Sequence, residues 1–324
     1  MERQRIFYLD LIRVFAILGI IYSHVAGQML DAHTVALQNM FVGSAALFFM
    51  TSGALIFPIT APGAFVRRRL RSYVPEFVLW SVAYALLGHW TVEGYPSLGR
   101  ALGWMLFTPT FDEAWFLYAL TGAYLFAPFL SPWIASASRR QVEWFLAAWL
   151  CAGLTPLALE HTFFHVEMSI LAPFFGYMGF MVAGYYLNKW PVSARSWRGQ
   201  ALFYVITAGV GIVGALRVFV TAWRWNFADL LASDLSINVM CMCMLWFALL
   251  QNVRKAPRWI AATVSAISVC TLGIYLSQPA ALTYLVLPRG WDFWPTLLAT
   301  LVLAIAVGAV MHGLRKGVQS LLRR

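Results

Sequence analysis

The chain has 324 residues, 61% of them hydrophobic and 11% charged, with a formal net charge of +10. A soluble domain is nearer a quarter charged, so this composition excludes an ordinary soluble enzyme and points to a polytopic membrane protein. The basic excess sorts by loop, which sets nucleic acid aside as a partner and names the lipid bilayer instead.

The length suits an all-α protein of about ten transmembrane helices with short loops. The first span is expected at about 6–28. Arg3 and Arg5 ahead of it mimic a signal peptide, but Arg13 interrupts the run and no convincing cleavage site follows. The second span is expected at about 36–58, rich in small residues and ended by Pro58 and Pro62. The run Arg67-Arg68-Arg69-Leu70-Arg71 then precedes a third span at about 72–90, with Pro75 in its first turn. An outer connection follows, with a short interfacial helix at about 98–107. Further spans are expected near 112–130, 141–158, 169–188, 200–221, 233–252, 263–287 and 294–313. This topology places 18 of the 23 Lys and Arg residues in cytoplasmic segments and three outside, so both termini are expected in the cytoplasm. One transmembrane domain over residues 1–324 is expected, with no appended soluble domain.

The first span carries Asp10, Arg13 and His24. Eleven residues make close to three helical turns, so Arg13 and His24 share a face about 16 Å apart, with Asp10 one turn earlier on it. Ionisable groups in a spanning helix face a protein interior or a wet cavity. His24 is a candidate general base, because imidazole takes and returns a proton near neutrality. Arginine's planar fork suits phosphate oxygens, so Arg68, Arg69 and Arg71 read either as a topological anchor or as a site for a phosphorylated ligand. Asp112-Glu113-Ala114-Trp115 offers a carboxylate at the outer end of a span, or a plain aromatic belt. His161 and His165 have weak metal-ligand spacing, and no metal is expected. Asp10, Glu76, Asp112 and Glu113 all stay open as the carboxylate that orients His24.

Together these motifs resemble the acyltransferase type 3 family of multipass membrane acyltransferases. An arginine separated by ten residues from a histidine matches Arg13 and His24, inside Leu9-Asp10-Leu11-Ile12-Arg13. Further matches are Leu47-Phe48-Phe49-Met50-Thr51-Ser52-Gly53, Arg68-Arg69-Leu70-Arg71, Trp115-Phe116-Leu117 and Leu272-Gly273-Ile274-Tyr275-Leu276. The loop from Arg224 to Asp229 looks like the branch containing the enterobacterial common antigen O-acetyltransferase. One departure is Gln278 before Pro279, where the family often has a histidine. Glutamine hydrogen-bonds but does not titrate.

The resemblance implies acyl transfer, acetyl-CoA being the usual donor, from the cytoplasmic side of the inner membrane to a hydroxyl of a surface carbohydrate or lipid-linked acceptor. It implies donor phosphates on Arg68, Arg69 and Arg71, with His24, Arg13 and Asp10 at the chemistry. Glu113, Trp115, Tyr275 and Gln278 are acceptor-side candidates. The rival expectation is a proton-coupled transporter or flippase that uses the Arg13/His24 face without chemistry.

Overall fold

The computed structural model describes residues 5–29, 34, 37–38, 40–91, 97–104, 109–153, 176–215 and 235–321. Every regular element among them is helical. The helices are α1 (Phe7–Met29), α2 (Ser44–Ile56), α3 (Pro62–Thr91), α4 (Leu98–Trp104), α5 (Trp115–Ser136), α6 (Arg139–Ala152), α7 (Met178–Lys189), α8 (Trp197–Ala215), α9 (Ile237–Gln251), α10 (Arg258–Ala280) and α11 (Phe293–Leu321). A 3-10 turn, Asp112–Ala114, leads into α5, and α10 runs on through a π turn, Ala281–Val286. The His161/His165 pair and the loop 224–229 lie outside the described residues.

Four stretches among the described residues are long and apolar enough to cross a membrane: Phe7–Met29, Asp112–Ser136, Arg258–Arg289 and Phe293–Gly317. Two more, Ser44–Ile56 and Ile237–Gln251, are apolar but shorter. Burial separates the long helices. In the apolar window of α1, 67% of residues are buried, against 17% in that of α11. So α1 is the central helix, in contact with α2, α9, α10 and α11, while α11 turns Leu298, Val302 and Val310 outward.

The close approach of α2 to α7 rests on two glycines. A Cβ on Gly53 would fall on the Met181 carbonyl, and one on Gly184 would fall on the Met50 carbonyl. Each helix thus lays its backbone into the gap left by the other's missing side chain, the small-residue packing expected of helices in lipid. Side chains then tie the same end of the bundle. Tyr8 donates to Asn188, Asn188 Nδ2 donates to the Ala54 carbonyl at 3.1 Å, and Gln251 Nε2 donates to the Leu187 carbonyl at 3.0 Å.

One boundary differs from expectation in a way that shapes the site. Pro62 opens α3 rather than merely ending the helix before it. A first-turn proline loses nothing by lacking an N–H, and its fixed φ suits a helix start. The arginine run is therefore helical, and Pro75 lies in the helix interior, where its missing N–H leaves the Arg71 carbonyl without its usual donor. Helical phase now divides the run. Arg69 and Ser72 turn toward the bundle with buried Phe65, whereas Arg67 and Arg71 are exposed.

Candidate functional site

Asp10 is the anchor of the inner part of the site. It is 6% exposed. A buried carboxylate needs partners, and this one has three. Arg5 Nε lies 3.2 Å away, Arg13 Nη1 lies 3.6 Å away, and the Ser268 hydroxyl of α10 donates to it at 2.6 Å. Asp10 thereby fixes Arg13 on the polar face of α1 and docks α10 against α1.

Above this anchor lies a cavity of about 490 Å³. Arg5, Arg13, Arg68, Arg69 and Arg315 all line it, with Asp10 as the one carboxylate among its lining residues. Five guanidinium groups around one cavity make a strong anion site. Arg69 is held between rings, 5.5 Å from the Phe65 centroid and 5.2 Å from that of Tyr124. Its Nε is buried with no hydrogen-bond partner among the described residues. Arg315 is steadied by Glu76 at 3.4 Å. Arg71, expected with Arg68 and Arg69, is not among the lining residues. Arg5 and Arg315 were not expected, because near the chain ends each reads as an ordinary inside charge.

Arg13 and Ser72 also line a second cavity of about 160 Å³. Its lining combines hydroxyls (Thr51, Ser52, Tyr73, Tyr124, Thr271) with the apolar Phe48, Phe116, Leu120 and Leu272. The hydroxyls are themselves organised: Tyr73 donates to Thr121 at 2.6 Å, and Ser52 and Tyr124 bond at 3.1 Å.

Tyr275 lines the second cavity and a third one of about 220 Å³, which holds Ser23, His24 and Trp115. Here the expected outer residues converge. His24 Nδ1 lies 3.9 Å from the Glu113 carboxylate. Tyr275 donates to the Glu113 carbonyl at 2.7 Å, which pins the turn that carries Glu113. The Gln278 amide meets His24 Nδ1. Trp115 leans on Tyr177 with centroids 5.4 Å apart. Of the four carboxylates left open, Glu113 is the one beside His24. Asp10 serves the arginines, Glu76 serves Arg315, and Asp112 is exposed.

Tyr84 was missed, and no motif marks it. Its hydroxyl donates to the Leu276 carbonyl at 2.8 Å and accepts from the Ala280 N–H at 3.0 Å. These two groups would bond each other in a regular α-helix. Pro279 lies between them in the chain and cannot donate to the Tyr275 carbonyl, and the hydroxyl braces the backbone around it.

The three cavities form a row. Five arginines gather at one end, and an imidazole with nearby oxygen acceptors stands at the other. The family model for an acyltransferase domain, acyltransferase type 3, matches residues 6–313. No curated protein and no solved structure matches the chain.

Proposed function

Because the chain belongs to the acyltransferase type 3 family, we propose that it is a membrane O-acyltransferase acting on acyl-CoA. It takes an acyl group, acetyl by family analogy, to a hydroxyl of a surface carbohydrate or lipid-linked acceptor. The observation that supports this most is the row of cavities, joined through Arg13, Ser72 and Tyr275, from five arginines to His24.

In this reading the donor's phosphates sit on Arg68, Arg69, Arg5 and Arg315, and its flexible arm passes Arg13 along the hydroxyl-lined cavity. His24 takes the proton of the acceptor hydroxyl as the new O–C bond forms. The C–S bond breaks, and the thiolate leaves with the proton that His24 returns. Glu113 faces the imidazolium formed in between and balances its charge. The arginine end faces the cytoplasm, both termini lie on that side, and ten helices cross the inner membrane as a single domain.

The test is binding and slow hydrolysis of radiolabelled acetyl-CoA by the purified protein. Arg69→Ala is expected to lose binding, and His24→Ala to keep binding while losing turnover. Absence of binding by the unaltered protein would overturn the reading. Binding without turnover, together with solute movement driven by a pH gradient, would instead make the row a transport path.

A further inference from the structure

Gln278 is fully buried, 0% exposed, with its amide against His24 Nδ1. As placed, Nε2 donates to the ring nitrogen, and Oε1 is buried without a hydrogen-bond partner among the described residues. In that arrangement an unprotonated Nδ1 lies 3.9 Å from the Glu113 carboxylate, with no proton on it to offset that charge. Half a turn of the amide exchanges its oxygen and nitrogen with almost no change in shape. Oε1 then accepts from Nδ1–H, and Nε2 takes the place that Oε1 held. The proton on Nδ1 makes one hydrogen bond, to Oε1, and stands 3.9 Å from the negative charge of Glu113, which favours it there.

From this we infer that Gln278 is a positioning residue that holds His24 as the Nδ1–H tautomer and leaves Nε2 as the nitrogen that meets the acceptor hydroxyl. The role of Nε2 rests on the function proposed above, whereas the tautomer does not. A neutral imidazole has one donor and one acceptor nitrogen, so fixing the proton on one nitrogen fixes the base on the other. A titrating residue at position 278 would exchange protons with His24. An amide orients the ring without competing for its proton.

The backbone supports this precision. Gln278 lies between the two groups of α10 that the Tyr84 hydroxyl bridges, Leu276 and Ala280. Pro279 removes one bond of the ladder there, and the π turn at Ala281–Val286 follows directly. Tyr84 adds two hydrogen bonds to this part of α10, close to His24. With it, the Gln278 side chain has a fixed origin.

The experiment is nitrogen NMR of protein labelled with ¹⁵N-histidine, in detergent at about pH 8, above the ordinary imidazole range. His24 is assigned by the signals lost in His24→Gln. The expected result is a protonated Nδ1 and a bare Nε2. Gln278→Met, similar in size but without the amide, loses that preference. Its acetyl-CoA hydrolysis falls about 10- to 100-fold in kcat at unchanged KM. Gln278→Glu keeps an oxygen acceptor and restores the Nδ1–H preference, but kcat stays low because a titrating group there competes for the proton. A proton on Nε2 in the unaltered protein, or a tautomer indifferent to Gln278→Met, would sink the inference. The expected tautomer in a protein that hydrolyses no acetyl-CoA would leave it standing and reject the acyltransferase mechanism instead.

Discussion

Glu76 of α3 and Arg315 of α11 are 239 positions apart in the chain and form an ion pair at 3.4 Å. The pair ties α11, the least buried of the four membrane-length stretches, to the arginine cavity. Arg315→Ala is expected to weaken acetyl-CoA binding about 5- to 10-fold, since one charged contact in a half-open site is removed. It is also expected to lower stability by about 1 kcal/mol through the stranded Glu76 carboxylate. Isothermal titration and a thermal melt of the same sample separate the two effects. An unchanged dissociation constant would make Arg315 purely structural.

Arg69 and Arg71 are two residues apart and are expected to behave differently. Arg69→Ala removes a guanidinium that lines the cavity, and should raise the acetyl-CoA dissociation constant about 10- to 100-fold. Arg71→Ala alters an exposed side chain and should change it less than about twofold. Equal losses in the two variants would mean that α3 presents its other face to the donor.

His24→Ala is expected to reduce acyl transfer by a factor of about 10² to 10⁴, the ordinary contribution of a positioned general base. Glu113→Gln keeps the turn and the carbonyl that receives Tyr275, and removes only the charge facing the imidazole. It should lower kcat about tenfold without changing donor affinity. Single-turnover rates with saturating acetyl-CoA read both variants. A full rate in either would remove that residue from the chemistry.

The polar face of α1 is legible in the amino-acid sequence alone. A spacing of eleven residues is close to whole turns, and Arg13 and His24 do line successive cavities. The division of the arginine run is not legible there, because it depends on helical phase, and the phase depends on whether Pro62 stops one helix or starts the next. Arg5 and Arg315 are hidden for another reason. A sequence shows their charge and not that the two chain ends meet at one cavity. Gln278 stands out as a departure from the family pattern, yet its partner lies 254 positions away and only the fold supplies it.

Tyr84→Phe tests the hydroxyl brace on α10. The variant leaves the Leu276 carbonyl and the Ala280 N–H without their shared hydroxyl, at a cost of about 1–3 kcal/mol. A drop in melting temperature is expected, together with a lower kcat. A variant as stable as the parent would show that the helix closes its own bond around Pro279.

Gly53→Ala and Gly184→Ala should each be severe, because the added methyl meets a backbone carbonyl that no rotamer change can move. Yields of folded protein in mild detergent should fall at least severalfold for either. Gly63→Ala is the control, since nothing lies within 4 Å of its added methyl.

The row of cavities also bears on where charge has to travel. Carrying a phosphate into the hydrocarbon layer is expensive, and helix α1 spans about 16 Å between Arg13 and His24. In the function proposed above, a donor anchored at the arginines would send only an uncharged thioester up that distance. Its ionic head would stay at the surface where water can reach it, and half the bilayer would be crossed by reach alone, with no ion entering lipid.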